Sequence, residues 1–263
     1  VKHRASLSYA HFLELLQDPA RDSRIGSWFW GVQEVPDILD RWGSTLPRER
    51  VHLVTVPPSG APRDLLGQRF AQALGLDPAD LAVEDTRTNP SLGVAEAAVV
   101  RRLNEQVAEI VPNPHYRAIV REALVHQYLS ADRRSALLSV PPDVWAWASE
   151  LSRRWVAELA LRGYDVVGDL DDLLPAEPLP FVDPDAPDDA AFADAALRAL
   201  TGMTLEAARL RDREVELQDD IADLIDKLDA AHSTPIYKAK ERFVAKANSS
   251  RVAAAGLAVY RRL

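Results

Sequence analysis

Six histidines, at positions 3, 11, 52, 115, 126 and 232, are the side chains best suited to proton transfer near neutral pH, and the absence of cysteine leaves no thiolate to share that work. No two histidines stand four residues apart and no H-E-x-x-H occurs, so the spacing of a helical zinc site is missing. His3 lies between Lys2 and Arg4 at the head of the first helical pattern. That trio offers a general base beside an anion-binding pair, and it reads equally as a solvated basic turn. Asp169, Asp171 and Asp172 form a D-x-D-D string that suits proton donation or a metal nucleotide, and also suits a helix start, where acids complement the dipole. Trp28, Phe29 and Trp30, set between Gly26 and Gly31, supply either a substrate wall or lid or ordinary core packing. Neither G-x-x-x-x-G-K-[ST] nor G-x-G-x-x-G is present, and there is no G-x-S-x-G, so a phosphate loop and a serine-hydrolase elbow both lack support.

The element best placed to position such groups is the stretch Arg50 to Leu76. Val51, Leu53, Val54 and Val56 make a short β-branched run and Pro57-Pro58-Ser59-Gly60 a turn. Leu65, Leu66, Phe70, Ala73 and Leu74 then recur at helical spacing up to a stop at Gly75. One strand is not a sheet, and the other convincing candidate is Tyr164 to Val167. Helices are predicted over about 6–17, 34–43, 62–75, 94–111, 114–129 and 141–162. The last carries Val144, Trp147, Leu151, Trp155 and Leu159 on one face. The fold class expected is therefore α/β and helix-rich, with a globular part over 1–175. The first residues enter a helical pattern without a leader or cap, and the chain is expected to be the later part of a larger fold.

At 263 residues and 47% hydrophobic, the chain can hold a sizeable core. No apolar run approaches the roughly 20 residues that span a bilayer, so a cytoplasmic protein, with membrane-peripheral attachment as a variant, is expected. The net charge of −9 hides an asymmetry: Tyr164 to Asp194 holds ten acids and no Lys or Arg, whereas Pro235 to Leu263 holds seven basic residues and the single acid Glu241. Residues 176–189 continue a stretch with five prolines from Pro175 and read as an acidic linker. Over 190–232 a long helix is predicted, with Leu200, Met203, Ala207, Leu210, Glu214, Leu217, Ile221, Leu224, Leu228 and Ala231 at alternating steps of three and four. This heptad seam suits a homodimer through 200–231. Ile221 at a and Leu224 at d favour a parallel pair, while two facing Glu214 side chains would be costly. The alternative is packing of the stripe on the chain's own globular part. Over 233–263 the tail mixes Lys238, Lys240, Arg242 and Lys246 with Tyr237 and Phe243, which suits an anionic membrane surface or acidic partner, or a solvated tail folded on the linker.

Several strings together resemble the actinobacterial branch of sulfotransferase-like proteins. They are VKHRASLSYAHFL, RIGSWFWGVQEVPDILDRWG, RVHLVTVPPSGAPRDLLGQRFAQALGL, NPSLGVAEAAVVRRLN and GYDVVGDLDDLLP, spread over 1–175. The resemblance implies an incomplete P-loop-like sulfotransferase fold followed by a coiled-coil-like helix. It also implies sulfuryl transfer from 3′-phosphoadenosine 5′-phosphosulfate to a hydroxyl or amine acceptor, a glycan among the candidates, with no metal and no nucleic acid involved. The donor-binding loops would lie upstream of Val1, so the chain alone is expected to be inactive. Carried over residue by residue, Lys2, His3 and Arg4 would lie near the acceptor, for which the aromatic cluster offers Trp28 and Trp30 as walls. Arg87, Asn89 and Ser91 would line the nucleotide side, or cap the following helix. His3 and His11 are the base candidates. Pro57 and Pro58 stand where the family often carries an acid. The alternative is a non-enzymatic interaction module that dimerises through the long helix and docks its basic tail.

Overall fold

A computed structural model of the chain describes residues 4–81, 90–233 and 235–249 and is 67% helical. β1 (His52–Val54) and β2 (Asp165–Val167) run parallel, with His52 beside Asp165, Leu53 beside Val166 and Val54 beside Val167. Among the described residues these two strands make up the sheet. Both lie where β-branched runs place them, and Thr55 N–H still donates to Val167 O at 3.1 Å beyond the strand end. Pro57 and Pro58 have no N–H to continue the ladder. The chain then enters α4 (Leu65–Leu74), which stops at Gly75 with φ 65°, the left-handed cap that glycine adopts without a Cβ penalty. α4 packs against both strands.

Ahead of the sheet lie α1 (Tyr9–Gln17), α2 (Arg24–Gln33) and α3 (Val35–Gly43). The second of these is absent from the helices predicted by pattern, because two glycines and three consecutive aromatics obscure its period. Its start is nonetheless conventional: Ser23 Oγ accepts from Gly26 N–H at 2.9 Å. Trp30 explains its packing. The buried indole donates to Leu16 O at 3.1 Å and meets Phe29, Trp147 and Trp155 edge-on. Such ring pairs contribute about 0.5–1.5 kcal/mol each beyond burial, and here they join α2 to α7 (Pro142–Arg162), while the indole hydrogen bond ties α2 to α1.

After β1 and α4, α5 (Val94–Val107) is buried along most of its first two turns. The turn α6 (Asn113–His115) leads into a π helix, Tyr116–Leu129, which buries Val120, Leu124, Val125 and Leu129. Following β2, residues 176–188 form no regular helix or strand, as their prolines require, yet they lie along the globular part. Trp145 Nε1–H donates to Ala176 O at 3.1 Å and Ser139 Oγ to Leu179 O at 2.8 Å. The long helix α8 (Asp189–Ser233) is followed by α9 (Pro235–Ser249). The chain divides into two compact units, Val1–Gly202 and Met203–Leu263. The first turns of α8 thus belong to the first unit, where Ala195 and Ala199 are buried. No helix among the described residues is long and apolar enough to cross a membrane.

Candidate functional site

Polar groups gather at three places in the first unit, and their hydrogen bonds separate structure from opportunity. At the carboxyl end of the sheet, Thr55 Oγ1 donates to Asp172 Oδ2 at 2.8 Å, and Arg69 Nη1 reaches the same carboxylate oxygen at 2.6 Å and Thr55 O at 2.9 Å. Asp169 N–H donates to Thr55 Oγ1 at 3.1 Å. Gly168, at φ 118°, makes room for this knot, since a Cβ there would fall 2.1 Å from Thr55 Oγ1. The Thr55 hydroxyl first, and then Arg69, hold the Asp172 carboxyl below its ordinary range. Asp169 caps the next turn by accepting from Asp171 N–H at 2.9 Å. The D-x-D-D string is accordingly used for pairing and capping, the helix-start alternative. Ligands of open α/β sheets favour this end of the strands, but here an ion pair fills it.

The second place is the start of α5. Glu96 is 0% exposed, and its Oε1 accepts from Arg198 Nη2 at 2.7 Å and from Arg134 N–H at 3.1 Å, while Oε2 takes the Ser135 hydroxyl. Burial pushes the Glu96 carboxyl up, but the bonds from Ser135, Arg198 and Arg134 outweigh it and hold it at about 2. Gly93 allows the approach: a Cβ there would lie 2.2 Å from Ser135 Oγ. Farther along the helix, Asn104 Nδ2 donates to Ala5 O at 2.9 Å and Tyr116 OH to Asn104 Oδ1 at 2.6 Å.

The third place is open. A cavity of about 1190 Å³ lies between α1, α2, α5 and the 184–185 segment. Leu7, Phe12, Ile25, Trp28, Ala98 and Leu138 give it largely apolar walls. Asp185 closes one side, with its two carboxylate oxygens accepting from Tyr9 and Ala10 N–H at 2.8 Å each. Those are first-turn donors of α1 that no intrahelical carbonyl can satisfy. Arg101 Nη2 lies 3.7 Å from Asp185 and Nη1 3.1 Å from Glu105, so its charge is already matched. Arg24 is exposed at the rim, and Ser27 Oγ stands beside it, donating to Arg24 O at 3.3 Å. The Tyr9 phenol is pushed up by burial and donates to Ser139 O at 3.1 Å. The walls can hold an apolar body and Arg24 an anionic head. Among the described lining residues, the one carboxylate, Asp185, is committed to backbone donors.

The expected site residues fall in different places. Trp28 lines the cavity and is 69% exposed, as a wall residue would be. Trp30 is a core residue, two positions round the helix. Arg4 adopts φ 70° and serves the far end of α5, where its guanidinium donates to Ala108 O and, at 2.8 Å, to Val111 O, above the Tyr116 ring. His11 is exposed beside Glu14, with Nδ1 3.1 Å from Oε2, and does not line the cavity. Ser91 is exposed in the turn before α5. Lys2, His3, Arg87 and Asn89 lie outside the described residues. Ser91 alone makes no phosphate cradle. Among the described residues no cluster of His, Asp and Glu could hold a metal ion. Sequence reasoning missed Arg24, Arg101 and Asp185. For Arg101 the available signal was its place on the same α5 face as Ala97 and Ala98. The fold and cavity define a helix-rich unit with a small parallel sheet and a largely apolar cavity among its helices. Comparisons with protein-family profiles, curated proteins and solved structures each found no match.

Proposed function

We propose that the chain supplies the acceptor side of a sulfotransferase-like protein, in which a sulfuryl group passes from 3′-phosphoadenosine 5′-phosphosulfate to a hydroxyl or amine held in the cavity. The observation that carries this reading is the cavity itself, with apolar walls, Trp28 on its surface and the Arg24 cation at its rim. In the transfer, a bond forms between the acceptor oxygen or nitrogen and sulfur. The bond from sulfur to the bridging phosphate oxygen breaks, that oxygen keeps the electron pair, and the acceptor proton leaves to a base. Such walls suit an acceptor with an apolar or aromatic body; a glycan would rest a sugar face on Trp28. The sequence carries no G-x-x-x-x-G-K-[ST] loop, and in this reading the cavity residues bind and orient the acceptor. Titration of the full chain with 2-naphthyl sulfate and with naphthalene, followed by tryptophan fluorescence, tests the reading. Saturable binding of the sulfate ester, at least tenfold tighter than naphthalene and reduced to parity by Arg24→Ala, supports it. Equal affinity for the two, or no binding, overturns it.

A second reading is favoured by a separate observation: on α8, Leu210, Leu217, Ile221, Leu224 and Leu228 are all exposed. Within the second unit this stripe would serve a dimerising interaction module, with the basic residues of α9 directed to an anionic membrane surface or acidic partner.

A further inference from the structure

We infer that α8 pairs with a second copy of this chain in antiparallel orientation, in the single register that sets Glu214 opposite Leu217. The inference rests on the self-association reading above and goes beyond it by fixing orientation and register.

Among the described residues the seam's aliphatic side chains from Leu210 to Leu228 are exposed, Ile221 at 56% and Leu224 at 63%, whereas isolated surface leucines do not recur at heptad steps. In a parallel pair the two Glu214 carboxylates would meet at one level of the seam, and the flanking g and e positions would set Arg213 against Gln218 and Asp220 against Ile225. Neither is an ion pair. Lys227 would face His232, again no ion pair, and the one pair of opposite charge, Glu206 with Arg211, uses a Glu206 that is buried and held by Arg209 at 2.6 Å.

In an antiparallel pair each a position faces a d position, and g faces g. With Glu214 opposite Leu217, Leu210 meets Ile221, Ala207 meets Leu224 and Met203 meets Leu228, so the apolar seam stays in register on both sides. Each Glu214 faces an aliphatic side chain and keeps its own Arg211, 2.5 Å away. The g positions then place Arg213 against Asp220 of the second copy, twice by symmetry. Sliding one heptad in one direction sets Arg213 on Arg213; sliding the other way sets Asp220 on Asp220 and Arg213 on Lys227. Both alternatives juxtapose like charges, so charge selects one register among the three that align the apolar positions. The present partner of Arg213 is Glu216 at 2.8 Å, an exposed i,i+3 pair that yields at small cost.

The chain has no cysteine, which makes cross-linking decisive. Three single variants, Leu210→Cys, Ile221→Cys and Leu224→Cys, are oxidised singly, and the first two also as an equal mixture, with sedimentation measured on the reduced proteins. Antiparallel pairing separates the two thiols of a Leu224→Cys dimer by about 25 Å, far beyond disulfide reach. The expected result is a dimer in sedimentation, a disulfide-linked dimer from the Leu210→Cys and Ile221→Cys mixture, and none from Leu224→Cys alone. A Leu224→Cys cross-link without one in the mixture overturns the orientation while leaving self-association intact. A dimer in which neither forms overturns the register, and a monomer overturns both this inference and the reading beneath it.

Discussion

Two faces of α5 treat polar groups in opposite ways. Along one, Glu96 is fully buried and its charge has partners within 3.1 Å. Along the other, Ala97, Ala98 and Arg101 look into open space beside Trp28 and Arg24. A depressed carboxyl such as Glu96 would ordinarily draw the eye as a catalytic group. Here its partners come from separate segments and leave no room for a substrate, so it ties the start of α8 to α5. The other face is the one that has space, and space is what a ligand requires.

The largest effect expected is Arg198→Ala, which strands a buried carboxylate and costs about 3–5 kcal/mol, read by chemical denaturation. If the faces are independent, the folded variant keeps its 2-naphthyl sulfate affinity; a parallel loss would break the distinction. Acid gives a smaller version of the same test. Because the folded carboxyl of Glu96 sits at about 2, its contribution is complete above the ordinary glutamate value of about 4.3 and is lost as pH falls from there through about 2. Arg198→Ala should flatten this limb of the stability profile. On the open face, Trp28→Ala is expected to weaken binding of the sulfate ester about tenfold, or about 1.4 kcal/mol. Its stability should change by no more than about 0.5 kcal/mol, because the ring is already exposed. The smallest effect belongs to His11→Ala, which should leave stability within about 0.5 kcal/mol and ligand affinity unchanged. A tenfold affinity loss there would bring His11 back to the site.

Much of the fold was readable because local chemistry is strong where it matters. The β-branched runs before Pro57 and after Gly163, and the stop at Gly75, place both strands and α4. The long helix α8 is legible from its leucine spacing. α2 was hidden because glycine and aromatic residues carry weak helical signals, and its commitment comes from Trp30 packing on residues more than a hundred positions away. The cavity was less legible still. Its walls come from α1, α2, α5 and the segment around Asp185, and no local pattern states that they converge. The acidic stretch 176–189 looked detached because its composition cannot form a core. Its attachment comes from Trp145 and Ser139, which donate to its carbonyls, and from the Asp185 carboxylate, which meets two donors that α1 leaves free.

The claim that the open face of α5 is a ligand site is tested most directly by calorimetric titration of the full chain with 2-naphthyl sulfate, alongside Ser27→Phe, which adds bulk at an exposed position on the cavity wall. Saturable one-to-one binding with a negative heat-capacity change, lost in Ser27→Phe while the fold and the acid limb are preserved, is the predicted result. No saturable binding, or equal binding by the filled variant, would contradict it.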